Sequence, residues 1–268
     1  MNRRRSGGVP LPLLVPAALG TAFLVLPLLG LLIRAPWSDL GARLAEPAVG
    51  EALRLSLVSA TLATAVSLVL GVPMAWVLAR SRIRGRSVLR ALVTVPLVLP
   101  PVVGGVALFL VLGRQGIVGE WLYETTGLSI PFTTPAVVIA ETFVAMPFLV
   151  ISVEGALRAA DARFEDAAAT LGADRWTTFR RVTLPLVAPG IAAGAVLCWA
   201  RALGEFGATI TFAGNFPGTT QTMPLSVYLA LQSDPEAAIV LSLLLLLVSL
   251  GTLLLLRDRW LGRAGAAP

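Results

Sequence analysis

The chain has 268 residues, of which 56% are hydrophobic and only 13% charged, and its mean hydropathy of +0.84 is far too apolar for an ordinary water-soluble domain. All 21 basic residues are arginines, histidine and lysine are absent, and the single cysteine, Cys198, lies in an apolar run. These absences exclude histidine acid/base chemistry, clustered metal ligands, disulfides and a lysine-bearing P-loop, so the chain is not itself an ordinary P-loop ATPase.

About 20 mostly apolar residues cross a hydrocarbon core of about 30 Å, and six apolar stretches of that order follow one another in the chain. They lie at 10–33, 51–79, 88–112, 134–157, 187–213 and 237–256. The start, Met1 to Arg5 and then an apolar stretch, has the outline of a secretory signal, but Pro10, Pro12, Pro16 and a run reaching Ile33 favour a retained helix. In the third span, Pro100-Pro101-x-x-Gly104-Gly105 weakens the helix, either as an ordinary kink or as part of a gate. Glu141 is an ionisable residue inside the fourth span, and Gly190-x-x-x-Gly194 near the start of the fifth lets another helix approach closely. Arg201 and Glu205, four residues apart, fall on one helix face where pairing reduces the cost of two charges at membrane depth.

The arginines sort by side. Arg3, Arg4, Arg5, Arg80, Arg82, Arg84, Arg86, Arg90, Arg158, Arg163, Arg175, Arg180, Arg181, Arg257, Arg259 and Arg263 fall in segments that share one side, against Arg34, Arg43, Arg54 and Arg114 on the other. This bias predicts both termini in the cytoplasm. A net charge of +6 would suggest nucleic acid as the partner of a soluble protein. Here insertion alone accounts for where the charges sit, so lipid head groups, not nucleic acid, are their expected neighbours.

Between the fourth and fifth spans, Asp161 to Pro185 is polar enough to leave the membrane but patterned as short helices. Asp161 is a candidate N-cap, Glu165 and Asp166 add negative charge at the positive helix end, and Gly172 suits the left-handed closing position, giving a helix of roughly three turns. Phe164, Ala167 or Ala168, and Leu171 form a narrow apolar stripe, a second short helix can start at Asp174, and Pro185 and Pro189 suit the opening of the fifth span. The pattern alone fits an amphipathic helix resting on the bilayer equally well.

Asp166-Ala167-Ala168, three residues, Gly172, nine residues, then Val182-x-Leu184-Pro185 resembles the EAA loop of bacterial ABC importer permeases. Asp166 stands where that pattern has Glu, with Glu165 just before it, and Val182 where Ile is usual. Arg201 to Leu231, RALGEFGATITFAGNFPGTTQTMPLSVYLAL, and Pro96 to Gly105 are similar to molybdate permeases and, less closely, to those for sulfate. The similar regions run from about residue 50 to 257.

The resemblance implies an all-α integral membrane protein of the type I ABC importer permease fold. Its single transmembrane domain would occupy 1–268, with a core at 51–257 and a cytoplasmic coupling loop at 158–186. It implies a transport subunit and not an enzyme, in the bacterial inner membrane, that imports molybdate, tungstate being inseparable from it and sulfate or thiosulfate the runner-up. The implied partners are a second copy of the chain, two ATP-binding cassette subunits and an extracytoplasmic oxyanion-binding protein. This chain would hold no cofactor, ATP and magnesium belonging to the partner ATPase. The coupling residues would be Phe164, Glu165, Asp166, Ala167, Ala168, Leu171, Gly172, Leu184 and Pro185.

For the path of the anion, Arg201, Glu205, Pro100 and Pro101 are gate candidates, and Thr209, Thr211 and Asn215 are candidate transient donors. The loop Gly214 to Glu236 has no arginine but contains Asp234 and Glu236, so it does not attract anions by its own charge. A gradient-driven secondary transporter is the rival reading, but it calls for sites in two repeats and no convincing repeat is visible. An intramembrane enzyme is disfavoured by the lack of catalytic groups.

Overall fold

The computed structural model describes residues 11–81 and 83–264, so Pro10, Arg3, Arg4, Arg5 and Arg82 lie outside the described residues, and the side chains of Arg257, Arg259 and Arg263 are likewise outside them. Every regular element among the described residues is helical. In chain order these are α1 (Leu11–Ile33), α2 (Leu40–Leu44), α3 (Pro47–Arg80), α4 (Arg86–Val98), α5 (Pro101–Leu112), α6 (Gly119–Thr126), α7 (Thr134–Ala159), α8 (Arg163–Thr170) and α9 (Arg175–Thr178). A π-helical turn, Phe179–Thr183, leads into α10 (Leu184–Leu203), followed by α11 (Gly207–Phe212), α12 (Met223–Ser233) and α13 (Pro235–Ala264). Five helices are each long and apolar enough to cross a membrane, and α4 with α5, bent by 117° at the break between them, meets the same test only as a pair.

Two of the expected spans are therefore corrected. The stretch 88–112 is not one kinked helix: Pro100 lacks an amide hydrogen, Leu99 and Pro100 are extended, and α5 restarts with Pro101 in its first turn. The stretch 187–213 also breaks, at Gly204–Phe206, between α10 and α11. A third correction falls on the expected loop 214–236, which contains α12, opened by Pro224 in its first turn.

The mast of the fold is α7. Its buried face, Ala136, Val137, Ala140, Ala145, Leu149, Val150 and Val153, is fully covered, by α3 and α10 along its length and by α11 near its start. The matching face of α3 is made of small residues at intervals of three and four, Ser56, Ser59, Ala60, Ala63, Ser67, Gly71 and Ala75, all buried. In lipid, where expulsion from water drives no helix together, close backbone approach between such faces supplies the dispersion contact. The Gly190-x-x-x-Gly194 step is used inside the subunit: a Cβ on Gly190 would land on Ala156 of α7, and one on Gly194 would meet Leu149 and Ser152 at 3.0 Å. Ser152 Oγ donates to the Gly190 carbonyl across this contact (3.3 Å).

Charge ties both ends of the bundle. At the end carrying α8, Arg158 pairs with Glu154 at 2.7 Å and Arg90 of α4 joins the same carboxylate. At the other end Arg43 clamps Asp234 (2.6 Å) and Glu236 (2.9 Å), which joins α2 to the start of α13. The two acidic residues of the 214–236 segment thus share one arginine, and the hydrogen bond from Arg43 holds the Asp234 carboxyl below its usual range. In contrast, α1 is apolar on every side and its large side chains stay exposed, as for a helix whose surroundings are lipid or another chain.

Gly190→Leu forces a bulky side chain between α10 and α7 and lowers stability by about 1–3 kcal/mol. The thermal unfolding midpoint of detergent-purified protein checks this, with Gly30→Ala unchanged, because nothing lies within 4 Å of a Cβ there.

Candidate functional site

At the arginine-rich end, α8 and α9 project from the bundle as a short folded knob. Helix α8 spans 8 residues, about two turns instead of three. Its N-cap is Ala162, while Asp161 acts one residue earlier, its carboxylate accepting from Arg163 N at 3.0 Å. The end of α8 is built as expected: Gly172 has φ +83°, and the amides of Gly172 and Ala173 bond back to the carbonyls of Ala169 and Ala168 (both 3.0 Å). That pair of bonds is a Schellman closure, which L side chains with a Cβ disfavour at the left-handed position. Asp174 caps α9 through Thr177 N at 2.7 Å.

The apolar stripe faces outward. Phe164 is 57% and Leu171 88% exposed, with Ala167 exposed between them and Trp176 nearby at 67%. Large apolar side chains displayed on a polar loop mark a contact surface. Ala168 is half-buried, so Ala167 is the small residue of the outer face. Asp166 is exposed, whereas Glu165 turns inward and receives Thr183 Oγ1 at 3.0 Å and Arg80 at 3.2 Å. Glu165, expected among the coupling residues, thus faces the bundle and not the outer surface of α8.

Pro185 sits in the first turn of α10, but the helix does not begin freely there. Thr183 and Leu184 are already helical, and the π turn Phe179–Thr183 absorbs the carbonyl that the Pro185 ring cannot pair. Pro189 lies inside α10. Phe179 stacks on Trp176 (5.7 Å between ring centroids) and meets Trp76 of α3 edge-on (6.4 Å), which fixes the knob against the bundle.

The two broken spans meet. Gly207, first residue of α11, lies so close to α5 that a Cβ would stand 2.9 Å from Pro101 Cβ and 3.1 Å from Val102 N. One turn further on, a Cβ on Gly105 would land on the Thr211 hydroxyl and the Ala208 carbonyl. Pro100, Pro101, Glu205 and Gly207 thus form a single junction.

Arg201 and Glu205 do pair, at 2.6 Å, with Glu205 only 1% exposed. They are not on one continuous helix: Glu205 lies in the break, where its other oxygen accepts from Ala208 N at 2.8 Å and so closes the start of α11. The expectation for Thr211 is overturned, since its hydroxyl donates to the Gly207 carbonyl (2.9 Å) and is committed to its own helix. Thr209 Oγ1 and Asn215 Oδ1 are buried with no partner among the described residues. Glu141 is 1% exposed and accepts from Ser59 Oγ (2.8 Å), while its second oxygen has no partner among the described residues. Sequence reasoning missed Arg80 and Thr183, whose partners are distant along the chain, and Ser59, which reads as one more small residue of a packing face.

The chain matches the family model described as the inner membrane component of binding-protein-dependent transport systems over residues 67–264. It is 52% identical to the molybdenum transport system permease protein ModB of Mycobacterium tuberculosis, over 88% of this chain and 89% of that protein. The corresponding protein of Escherichia coli is 41% identical over 80% of this chain and 93% of its own length. The Escherichia coli sulfate transport system permease protein CysT is 37% identical over 86% of each chain. Among solved structures, a bacterial ABC transporter involved in import of the acidic polysaccharide alginate shares the fold, with a TM-score of 0.73 at 20% identity over 94% of both chains. The chain is a multi-pass membrane protein and belongs to the family of inner membrane components of binding-protein-dependent transport systems.

Proposed function

We propose that the chain is the permease subunit of an ATP-driven importer of molybdate, driven by a separate ATPase that docks on the outer face of α8. The observation that carries the substrate is the identity to molybdenum permeases, 52% and 41%, over nearly the whole chain. Sulfate is the second reading, at 37% to a sulfate permease. Tungstate, an anion of similar size and charge, accompanies molybdate. The chain brings no histidine, lysine or metal-ligating cluster among its described residues, and ATP and magnesium are assigned to the partner ATPase.

Several features support this assembly. Phe164, Ala167 and Leu171 offer an apolar face with a small centre, suited to a groove on another protein. Arg80, Arg90 and Arg158 gather at the same end as α8 through their pairs with Glu165 and Glu154, in line with a cytoplasmic position for that end and for both termini. Two copies of the chain with two ATPase subunits, and a binding protein that delivers the anion from outside, complete the importer. A binding protein also fits an outer segment whose one nearby arginine, Arg43, is already held between two acids, so that the segment offers no cationic lure of its own.

The junction of α5 with α11 is the gate in this reading. Both helices are short, end in breaks and touch through glycines, so they can shift as small rigid pieces. Thr209 and Asn215, buried and unpartnered among the described residues, are the polar atoms available to a passing oxyanion. ATP binding and hydrolysis in the partner supply the free energy that separates inward-open from outward-open states.

Ala167→Arg puts a charged, bulky group on the docking face, and Gly172→Pro demands φ near −65° where the chain holds +83°. Both proteins still insert, but ATPase co-purification and uptake fall at least roughly tenfold; wild-type uptake in both contradicts the docking assignment. For the substrate, complexes reconstituted in vesicles with their ATPase and binding protein take up molybdate on adding ATP, and excess tungstate competes while sulfate does not. Uptake of sulfate in preference to molybdate overturns the substrate.

A further inference from the structure

We propose that Glu165 is a positioning residue that latches α8 to α3, with Arg80 and Thr183 as its partners, so that movement of the docking helix is passed to a span that has no chain connection to it. The proposal rests on α8 being the docking helix.

One carboxylate oxygen does the joining. Glu165 Oε1 accepts from Thr183 Oγ1 at 3.0 Å and pairs with Arg80 Nη2 at 3.2 Å. Arg80 is the last residue of α3, and the same Nη2 donates to the carbonyl of Ala160, the residue that ends α7 (3.3 Å). Thr183, 2% exposed, closes the π turn that feeds α10. Arg80 at the end of α3 and Thr183 before α10 therefore meet on a single side chain of α8, and Arg80 in turn holds the end of α7.

The covalent chain already joins α8 to α7 through Ala160–Ala162 and to α10 through α9 and the π turn. It does not join α8 to α3, and among the described residues Glu165 makes the only ion pair or side-chain hydrogen bond from α8 to a spanning helix. The Glu165 and Arg80 side chains are 24% and 20% exposed, sheltered from water that would otherwise compete for them. The two faces of α8 thus divide the work: Phe164, Ala167 and Leu171 meet the partner, and Glu165 grips the bundle behind them.

An apolar contact between α8 and α3 would let the surfaces slide. An ion pair between half-buried side chains holds one point, and a held point transmits displacement. Trp76 of α3 against Phe179 adds a second contact to the π turn, so α3 follows both halves of the knob.

The test uses the complete complex of permease, ATPase and binding protein in vesicles, and reads molybdate taken up per ATP hydrolysed in assembled complex. Arg80→Gln and Thr183→Val leave the docking face untouched. They are expected to assemble as the wild type does while that ratio falls roughly tenfold for Arg80→Gln and less for Thr183→Val. Arg80→Glu combined with Glu165→Arg is expected to regain most of what Arg80→Glu alone loses. A wild-type ratio in Arg80→Gln overturns the latch, as does a reversed pair no better than Arg80→Glu alone, or a loss that only tracks loss of assembled complex. Co-purification of the ATPase with Ala167→Arg is read in parallel: if it persists, the docking assignment fails, whereas its loss beside an unchanged ratio in Arg80→Gln sinks the latch alone.

Discussion

In hydrocarbon every backbone amide and carbonyl needs a partner from the protein itself, because no water is there to supply one. A span can break only where another part of the protein shelters the exposed groups. This chain breaks twice, at Leu99–Pro100 and at Gly204–Phe206, and it puts the two breaks against each other. Glu205 closes the amide end of α11, Thr211 bonds back to Gly207, and Pro101 spends its missing amide where none is required. Elsewhere α3, α7 and α10 run as continuous helices that pack through small residues, with a π turn leading into α10.

That division is what lets one subunit be both anchored and mobile. At one end of the α3, α7 and α10 bundle stand Arg80, Arg158 and the π turn, and α8 is fastened there. The broken helices lie against the other side of α7, where Ala136, Ala140 and Val144 pack on Ala208 and Phe212. In the proposed importer, work received by Phe164, Ala167 and Leu171 reaches the α5–α11 junction through helices too stiff to absorb it.

Hydropathy was enough to find the apolar stretches of the five long helices and of the bent α4–α5 pair, though not the breaks in two of them, and the arginine pattern grouped Arg80, Arg90 and Arg158 at one end, where they pair with Glu165 and Glu154. The closing glycine of α8 was legible because a left-handed closure has a local chemical signature at Gly172. The break at Gly204–Phe206 was not, since Gly204, Glu205 and Gly207 can each sit within a helix and the contact that meets the break, Pro101, lies about a hundred residues earlier. The inward turn of Glu165 escaped for the same reason, its partners Arg80 and Thr183 being set by tertiary contact. Thr211 was misjudged because a threonine hydroxyl in a helix finds its own backbone before it finds a solute. Asp166, which carries the sequence resemblance, is the exposed neighbour, a reminder that motif register and side-chain direction are separate matters.

The central claim is that the meeting of α5 and α11 must open for an anion to pass. Its most direct measurement is a reversible cross-link in a Cys198→Ser background, with Val102→Cys on α5 and Thr211→Cys on α11, whose hydroxyl lies 3.4 Å from the Val102 carbonyl. The account predicts that oxidation stops ATP-driven uptake in the assembled complex while the ATPase stays bound, and that a reductant restores it. Uptake at the uncross-linked rate with the two helices joined would contradict it.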